Sequence, residues 1–459
     1  MHKQIPVWVF LLCLLVGALG TVGFGWSVKG SLAGTHTFHG LGKVAVAIAS
    51  FPDTVKLVFT TVKEDPDVNM RVPRTDADVS AFKPIATRPG IDIKGLVVHA
   101  NHHALERARG WRILVGGFML NGEFTHAALA LSPELEVVRA WKLSEEGVAG
   151  VEPRVSYQKY VHGFALLPDG SVIFSFIPGV TLQRVDACSR RVWATPGSFH
   201  HAVSLANDKN FVWSLRDEPV NEKEVTETLV RVAVATGEVV KRISVDDIVA
   251  ANPTIDILQI KQDDDNWGNG NPRNKPEVWG YDPLHLNDVE ELPAAYAGSF
   301  NGFVAGDLLV SVRNLNLIFV LDPETLKVKW WHSGSWRRQH DPDWEPNGTI
   351  SLLDNRMSRD YSRIVRITPF SDQVEVAFDG RTNDFYTRIR GNHQFTPAGN
   401  LLVASTQQGR AFEVDRDGQP VLEVYSTRPG GDEYNYPLSD AQWLALDSVD
   451  LEKDYACGK

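Results

Sequence analysis

The sequence predicts an all-β protein, a six-bladed β-propeller preceded by an N-terminal transmembrane helix. Two observations predict the propeller. After residue 100, short aliphatic and aromatic runs alternate with Gly, Pro, Asn and Asp, as in a protein of many short strands. One phrase also recurs: a histidine, a few apolar residues, a polar turn and an aliphatic strand. Clear copies begin at His162, His201, His340 and His393, and looser copies begin at His285 and at His102 or His103.

Six copies at blade-sized spacing predict six blades of about four strands each. Several copies continue as antiparallel hairpins, for example 317–323 followed by 328–331, and 411–415 followed by 421–425. A pair of β-sandwiches is the alternative fold, but it does not explain why one phrase recurs in register. Because ring closure removes exposed sheet edges, we expect that no oligomer is required for stability.

The N-terminal segment predicts a membrane span. Residues 5–26 contain no Asp, Glu, Lys or Arg, and these 22 residues would span about 33 Å as a helix. A cleaved signal peptide is the alternative, but the small-residue cleavage candidate at 18–20 lies inside the apolar run. We therefore expect a single-pass protein of the cytoplasmic (inner) membrane, with the propeller on the periplasmic or extracellular side.

Four parts are expected along the chain. Residues 1–30 form the anchor or signal peptide, 31–94 a linker, 95–435 the propeller and 436–459 a C-terminal tail. Within the linker, residues 42–61 show helical periodicity and could lie along the membrane surface or pack on the domain.

Charge and cysteine content limit the partners. The 57 acidic and 46 basic residues give a net charge of -11, so nucleic-acid binding has no electrostatic basis. Cys188 and Cys457 could pair in an oxidising compartment or remain free thiols. The polar loop 263–271 could hold calcium, although it lacks the terminal Glu of an EF-hand loop.

The repeated histidines predict a ring of imidazoles, because the first strand of each blade lines the channel of a propeller. Crowded imidazoles lower one another's proton affinity, and neutral imidazoles act as nucleophiles, proton carriers or metal ligands. Arg356 follows His340 by 16 residues and could add a cation suited to sulfate or phosphate. An ion pair between Arg356 and Asp354 is the structural alternative.

Three blocks of sequence resemble the arylsulfotransferase family of bacterial six-bladed propellers, over about residues 95–430. They are HLNDVEEL with GDLLVSVRNLNLIFVLDPET, WWHSGSWRRQHDPDWEPNGTISLLDNR with SRIVRI, and GNHQFTPAGNLLVAS with GRAFEVD. The resemblance implies transfer of a sulfuryl group from an aromatic sulfate donor to a phenolic acceptor through a sulfohistidine. It implies no nucleotide, metal or other cofactor.

The resemblance also implies site residues. His285 and His340 match catalytic histidines of the family, and Arg356 matches its arginine. Because residues 405–410 contain no histidine, His393 is expected to be the nucleophile of the last blade. Further substrate contacts are expected from His162, His201, Asn287, Asn355 and Arg313.

Other functions remain open at this point. One is a non-catalytic, membrane-anchored propeller that binds a ligand or a protein partner. Another is a propeller hydrolase or lactonase with a central calcium ion, which needs Asp, Asn and Glu around the axis. A zinc or copper ion held by the histidine ring is a third.

Overall fold

The computed structural model describes residues 7–32, 72–73, 82–148, 160–177, 179–219, 225–258, 284–357, 359–371, 373–428, 434–453 and 457. The amphipathic stretch 42–61 and the polar loop 263–271 lie outside these described residues. The chain divides into two compact units. The first comprises Met1–Pro66 and Gln262–Val278, and the second comprises Asp67–Lys261 and Trp279–Lys459.

The described part of the first unit is one apolar helix, α1 (Val7–Leu32). Its residues Val7–Lys29 are long and apolar enough to cross a membrane, by length and composition. The helix therefore agrees with the predicted apolar segment and continues for six residues beyond it.

The second unit is mostly β-structure. Its short N-terminal strands are β1 (Val72–Pro73), β2 (Lys83–Pro84), β3 (Ala86–Thr87), β4 (Ile93–Lys94) and β5 (Leu96–Ala100), followed by β6 (Trp111–Leu120), β7 (Glu123–Leu131) and β8 (Glu136–Lys142). The next strands are β9 (Tyr160–Leu166), β10 (Val172–Ile177), β11 (Thr181–Val185), β12 (Arg191–Pro196), β13 (Ser198–Leu205), β14 (Phe211–Pro219), β15 (Val225–Ala233) and β16 (Val239–Ser244).

The remaining strands are β17 (Leu286–Glu291), β18 (Leu308–Val312), β19 (Leu317–Leu321), β20 (Val328–Ser333), β21 (His340–Trp344), β22 (Ile350–Asp354), β23 (Arg363–Ile367), β24 (Val374–Asp379), β25 (Asn392–Phe395), β26 (Leu401–Ser405), β27 (Arg410–Val414), β28 (Pro420–Ser426), β29 (Tyr434–Asn435) and β30 (Leu438–Leu444). Two short helices are α2 (His102–Arg107) and α3 (Val245–Ala251). The 3₁₀ turns are Asp256–Leu258, Ala297–Ser299, Arg313–Leu315, Gly380–Asn383 and Thr406–Gln408.

Six sheets form the six blades of a propeller. Blades 2 to 5 are the antiparallel sheets β9–β12, β13–β16, β17–β20 and β21–β24, and blade 6 contains β25–β28 with β5 and β2 added outside β28. Blade 1 has the order β3-β8-β7-β6-β30. The inner strands β9, β13, β17, β21, β25 and β30 contact one another in a closed ring.

The C-terminal strand closes this ring. β30 pairs antiparallel with β6, from Leu438 opposite Gly116 to Leu444 opposite Trp111. The predicted boundary at 435 is therefore too early, because the residues expected to form a tail supply the inner strand of blade 1. The N-terminal boundary also moves outward, since β2 and β3 join blades 6 and 1.

The core lies between adjacent blades. Trp213, Leu229 and Phe319 belong to a buried cluster that joins blades 3 and 4. Trp330 and Trp344 belong to another cluster, which joins blades 4 and 5. Most of the tryptophans near His340 are therefore packing residues.

A disulfide links Cys188, in the turn after β11, to Cys457 near the C terminus. The structure thus resolves the two alternatives for these cysteines in favour of a bond. Cys13 of α1 is a free, exposed thiol.

Five of the six inner strands contain a β-bulge, and in four of them the bulge lies at the end that carries the repeated histidine. The register shifts at His162 in β9, between His200 and Val203 in β13, at Asn287 in β17, between His340 and Asp343 in β21, and at Ser439 in β30. A bulge redirects side chains and bends the strand. His201, His285 and Arg390 also adopt left-handed backbone angles, with φ of 55°, 57° and 63°. Such strain clusters at functional sites.

Candidate active site

A cavity of about 130 Å³ lies in the channel and is lined by residues of all six inner strands or the turns just before them. Both basic and acidic side chains line this cavity. The basic residues are His162, His201, His340 and Arg390, and the acidic residues are Asp288, Glu290, Asp341 and Asp440.

The inner strands β9 and β13 approach each other closely at His162 and His201. A Cβ at Gly163 would lie 2.1 Å from the carbonyl oxygen of His201, so β9 requires glycine here. The close approach lets the rings of His162 and His201 lie with their centroids 3.9 Å apart. The backbone N–H of His201 donates to Nδ1 of His162 over 3.1 Å. Neutral His162 therefore carries its proton on Nε2.

Four residues form a continuous hydrogen-bonded row, the histidine chain (Asp217, His200, His201 and His285). Oδ1 of Asp217 lies 3.1 Å from Nε2 of His200. Nδ1 of His200 lies 2.7 Å from Nδ1 of His201. Nε2 of His201 lies 3.1 Å from Nε2 of His285. Each N···N contact requires one protonated and one unprotonated nitrogen in neutral rings.

The carboxylate of Asp217 sets the direction of the histidine chain. Since an ionised carboxylate only accepts, His200 donates through Nε2 and accepts through Nδ1. His201 then donates through Nδ1 and accepts through Nε2, so His285 donates through Nε2 and has its lone pair on Nδ1. The contacts thus assign one tautomer to each ring.

His340 is also held in one tautomer. Its Nδ1 donates to Oδ1 of Asn355 over 2.7 Å, with the carbonyl of Arg338 at 3.2 Å. Its Nε2 accepts the backbone N–H of Arg390 over 3.2 Å. Burial lowers the pKa of His340 to about 3, although the hydrogen bond that its ring donates to Asn355 partly opposes this shift. The ring is therefore neutral at physiological pH, with its lone pair on Nε2.

Burial also lowers the pKa values of His162 and His201 well below their usual range. The next largest causes are the charge of Arg390 for His162 and the neighbouring His162 ring for His201. His162, His201 and His340 are thus neutral donors and acceptors, as the crowding of imidazoles predicts.

Arg390 supplies the permanent positive charge among the described residues that line the cavity. Its guanidinium lies 3.8 Å from the ring centroid of Tyr160, a cation–π contact. Burial lowers the pKa of Arg390 and raises that of Tyr160. Arg390 remains charged because the pKa of a guanidinium is normally above 12.

Three carboxyl groups that line the cavity are held partly in the acid form. Burial, reinforced by Asp341, raises the pKa of Glu290 to about 8 and that of Asp440 to about 7. Burial also raises the pKa of Asp288 well above its usual range, and the charge of Glu290 is the next largest cause. At neutral pH the cavity therefore carries less negative charge than its composition implies.

The structure brings together several residues that the sequence predicts. His162, His201, Asn287 and His340 line the cavity, and His285 contacts His201. Asn287 donates through Nδ2 to the carbonyl of Gln339, while its buried Oδ1 has no hydrogen-bond partner among the described residues. That oxygen is an open acceptor beside the histidines.

Arg356 lies elsewhere, which corrects the expectation that it stands beside the imidazoles. Its backbone is left-handed, with φ of 53°, and its guanidinium packs 4.0 Å from the ring of Tyr361 and donates to the Tyr361 hydroxyl over 2.7 Å. The expected ion pair is also different, because Asp354 binds the side chain of Arg363. Arg390 occupies the position expected for Arg356.

His393 is a second correction. Its Nδ1 lies 2.9 Å from Asp341 and its Nε2 lies 2.9 Å from the hydroxyl of Ser351. The side chain has no solvent exposure. With both ring nitrogens engaged and no exposed surface, His393 orients Asp341 and does not line the cavity.

Two other predicted contacts act behind the cavity wall. Asn355 is fully buried and joins His340 to the carbonyl of Arg390 through its amide. Arg313 donates to Oδ1 of Asn314 over 3.3 Å and does not line the cavity. The histidines proposed for the first blade, His102 and His103, lie exposed on α2 rather than on an inner strand.

Sequence reasoning missed His200, Asp217, Arg390 and the channel carboxylates. Two features of the sequence indicate some of these residues. The pair His200-His201 doubles the repeated histidine. Acidic residues at every second position, Asp341 with Asp343 and Asp288 with Glu290, indicate one face of a strand.

One group of side chains has the spacing of a metal site. Donor atoms of Asp341, Asp343 and His393 lie within 4.8 Å of one another. Binding of an ion by His393 would require release of Asp341 or Ser351 from its ring nitrogens. The residues therefore fit a cation only after rearrangement.

The chain is similar to a known protein family and, distantly, to solved structures. The profile of the family described as Arylsulfotransferase (ASST) matches residues 163–428. A search of curated proteins returned no match. A protein of unknown function from Bacteroides caccae is a structural neighbour with TM-score 0.47 and 12% identity, covering 73% of this chain and 99% of its own. TolB from Acinetobacter baumannii gives TM-score 0.42 and 11% identity, covering 73% of this chain and 67% of its own.

Proposed function

Because the chain belongs to the arylsulfotransferase family, we propose that it transfers the sulfuryl group of an aryl sulfate to a phenol, with His340 as the nucleophile. The observation that carries the proposal is the fixed tautomer of His340. Asn355 holds the proton on Nδ1, so the lone pair on Nε2 is directed away from that contact. The low pKa keeps Nε2 unprotonated throughout the physiological range, and attack requires only that Nε2 release the backbone N–H of Arg390.

The first half-reaction forms a sulfohistidine. Nε2 of His340 attacks sulfur, the N–S bond forms, and the bond between sulfur and the aryl oxygen breaks, so the donor leaves as a phenolate. The backbone N–H of Arg390, now 3.2 Å from Nε2, would stand beside the transferring group. Its guanidinium and the Nε2–H of His162 supply further donors to the sulfuryl oxygens.

The second half-reaction regenerates the enzyme. The hydroxyl oxygen of the acceptor phenol attacks sulfur, the O–S bond forms and the N–S bond to His340 breaks. The open Oδ1 of Asn287 can accept a hydrogen bond from the incoming hydroxyl. The phenol proton is released to water as neutral His340 is regenerated. No nucleotide enters either step.

Cavity size supports small aromatic substrates. A volume of about 130 Å³ is close to the ~150 Å³ engineered cavity that binds benzene. We infer that one aromatic ring enters at a time, as two successive half-reactions require. The helix α1 would hold the enzyme in the cytoplasmic membrane, and the Cys188–Cys457 disulfide supports a propeller outside the cytoplasm.

The test uses the full chain in detergent, with 4-nitrophenyl sulfate as donor and phenol as acceptor. We expect release of 4-nitrophenol and formation of phenyl sulfate without added nucleotide. A rapid-quench sample without acceptor should show one SO₃ group on the peptide that contains His340. His340→Gln should abolish both signals, whereas His103→Gln, an exposed histidine of α2, should retain them.

Two outcomes would overturn the proposal. Sulfuryl transfer that persists in His340→Gln, or an adduct on another histidine, would show that His340 is not the nucleophile. Saturable binding of the aryl sulfate without any turnover would instead identify a binding propeller.

A further inference from the structure

We propose that Tyr160 is a positioning residue that holds the guanidinium of Arg390 toward the transferring sulfuryl group. This inference rests on the proposed function, in which Arg390 donates to the sulfuryl oxygens. Arg390 lines the cavity, whereas Tyr160 lies behind it and does not. Tyr160 therefore acts on the reaction only through Arg390.

The main chain of Arg390 is held beside the nucleophile by two polar contacts. Its N–H donates to Nε2 of His340 over 3.2 Å, and its carbonyl accepts from Nδ2 of Asn355 over 2.7 Å. The residue adopts a left-handed backbone, with φ of 63°, in the turn just before β25. These contacts fix the point at which the side chain begins, but they do not fix the guanidinium at its other end.

The side chain reaches a blade that is not a neighbour of its own. Arg390 precedes β25 of blade 6 and Tyr160 begins β9 of blade 2, so blade 1 lies between them in the ring. The guanidinium carbon lies 3.8 Å from the centroid of the Tyr160 ring. After burial, the charge of Arg390 is the largest cause of the low pKa of His162, two residues further along β9. The guanidinium thus lies near both donors that the sulfuryl group would contact on this side.

A tyrosine ring holds a guanidinium without neutralising its charge. Burial lowers the pKa of Arg390, and among the residues that the structure describes only Tyr160 opposes this shift. Asp341 and Asp440 line the same cavity and would be competing partners for an unrestrained arginine side chain. Such an ion pair would occupy the N–H donors that the sulfuryl oxygens need. Stacking on Tyr160 therefore keeps the charge available for the substrate.

Two substitutions separate positioning from simple packing. Tyr160→Phe keeps the ring face on which the guanidinium stacks, and Tyr160→Leu removes it. Tyr361 supplies a matched control, because its ring stacks on the guanidinium of Arg356 at 4.0 Å outside the cavity. Tyr361→Leu therefore removes the same kind of contact from the other arginine.

The first measurement needs no substrate. In the full chain in detergent, labelled with ¹⁵N-arginine, the Nε–H proton signal of Arg390 should be displaced upfield by the ring current of Tyr160. Loss of the signal in Arg390→Gln assigns it. Tyr160→Phe and Tyr361→Leu should keep the displacement, and Tyr160→Leu should abolish it. An undisplaced signal in the wild-type protein would overturn the proposal, even if sulfuryl transfer is confirmed.

The second measurement uses steady-state kinetics with 4-nitrophenyl sulfate and phenol. Tyr160→Leu should lower kcat about tenfold, the size expected for loss of a desolvated cation–π contact. The KM for the donor should change less, because the backbone N–H of Arg390 and the ring of His162 remain. Tyr160→Phe should retain most of the wild-type kcat, and Tyr361→Leu should match the wild type. Equal losses in Tyr160→Phe and Tyr160→Leu would overturn the role of stacking.

A double-mutant cycle tests whether Tyr160 acts through Arg390. In the Arg390→Gln background, Tyr160→Leu should cause no further loss of kcat, since no guanidinium remains to be positioned. Additive losses would indicate a structural role and overturn the proposal. If Tyr160→Leu does not fold, the wild-type NMR signal and the kinetics of Tyr160→Phe decide. If the wild-type protein transfers no sulfate, the proposed function fails, and the NMR result still decides whether Tyr160 positions Arg390.

Discussion

The guanidinium of Arg112 on β6 and the carboxylate of Glu413 on β27 form an ion pair with no solvent exposure, inside the junction of blades 1 and 6. Nη2 and Nε of Arg112 lie 2.8 and 3.0 Å from Oε2 of Glu413. The arginine also donates to the carbonyls of Gly110 and Ala108, and Asn400 donates to the other carboxylate oxygen. Each side-chain nitrogen of Arg112 and each carboxylate oxygen of Glu413 thus has a hydrogen-bond partner where the ring closes.

Removal of one partner should strongly destabilise the fold. Glu413→Leu leaves a buried, unpaired guanidinium, which costs about 3–5 kcal/mol. Chemical denaturation of the purified protein measures the change. Glu375→Gln is the control, because Glu375 is 69% exposed and 3.9 Å from Arg366. Such a surface pair contributes about 0–1 kcal/mol. Equal effects of the two substitutions would contradict the assignment.

The channel carboxylates predict a loss of stability as pH rises. The folded state holds protons on Glu290 and Asp440 up to pH values of about 8 and 7, whereas the unfolded chain releases them near their usual pKa values of 4.5 and 3.8. Between these limits the unfolded state binds fewer protons, so the free energy of unfolding falls with increasing pH. The melting temperature should therefore decrease from pH 6 to 8.5. Glu290→Gln should flatten this dependence, and a rising melting temperature would refute the assignment.

The same carboxylates should weaken donor binding in alkaline solution. Above about pH 8 the ionised Glu290 and Asp440 face an anionic aryl sulfate in one cavity, so repulsion should raise the KM for the donor. The value of kcat should change less. Steady-state kinetics from pH 6.5 to 9 tests this, and Glu290→Gln should reduce the rise in KM. A KM that stays constant across this range would contradict the prediction.

Single substitutions can compare how much Arg390 and Arg356 contribute to kcat. Arg390→Gln should lower kcat about 10²-fold to 10³-fold, which is the usual cost of removing one transition-state donor. Arg356→Ala should cost less, because its guanidinium stacks on Tyr361 outside the cavity. Arg381→Ala, which removes an exposed partner of Asp379, is the control. A larger loss for Arg356→Ala than for Arg390→Gln would restore the role expected from the sequence.

Reduction of the disulfide should destabilise the propeller. The bond closes a loop with a sequence separation of 269 residues, and loss of a native disulfide typically costs about 2–5 kcal/mol. Cys188→Ser with Cys457→Ser should lower the melting temperature and make it insensitive to dithiothreitol. Cys13→Ser should leave the melting temperature unchanged. No difference between the double variant and the wild type would contradict this prediction.

The repeat predicted five of the inner strands, but the sixth could not be found in the same way. β30 carries no histidine phrase, and its partner β6 lies more than 300 residues earlier in the chain. Only tertiary pairing identifies such a strand. The family resemblance was accurate for the fold, because alternating aliphatic residues specify sheet faces locally.

The site was predicted less completely, for a geometric reason. His162 lies in a bulge of β9, and the bulge of β21 begins at His340, whereas the pairing of β25 is regular. A one-residue difference in register exchanges the two faces of a strand. Asn392 therefore lines the channel and His393 points into the wall. Bulges and left-handed residues such as Arg356 cannot be identified from a hydropathy pattern.

Ring closure by β30 has a consequence for biosynthesis. The ribosome synthesises β6 more than 300 residues before residues 438–444, so the nascent protein carries an unpaired strand edge between these two events. A premature stop codon shortly before residue 438 would leave that edge permanently open to pairing with other polypeptides. Quality-control proteases should consequently degrade such truncations as efficiently as products that lack a whole blade.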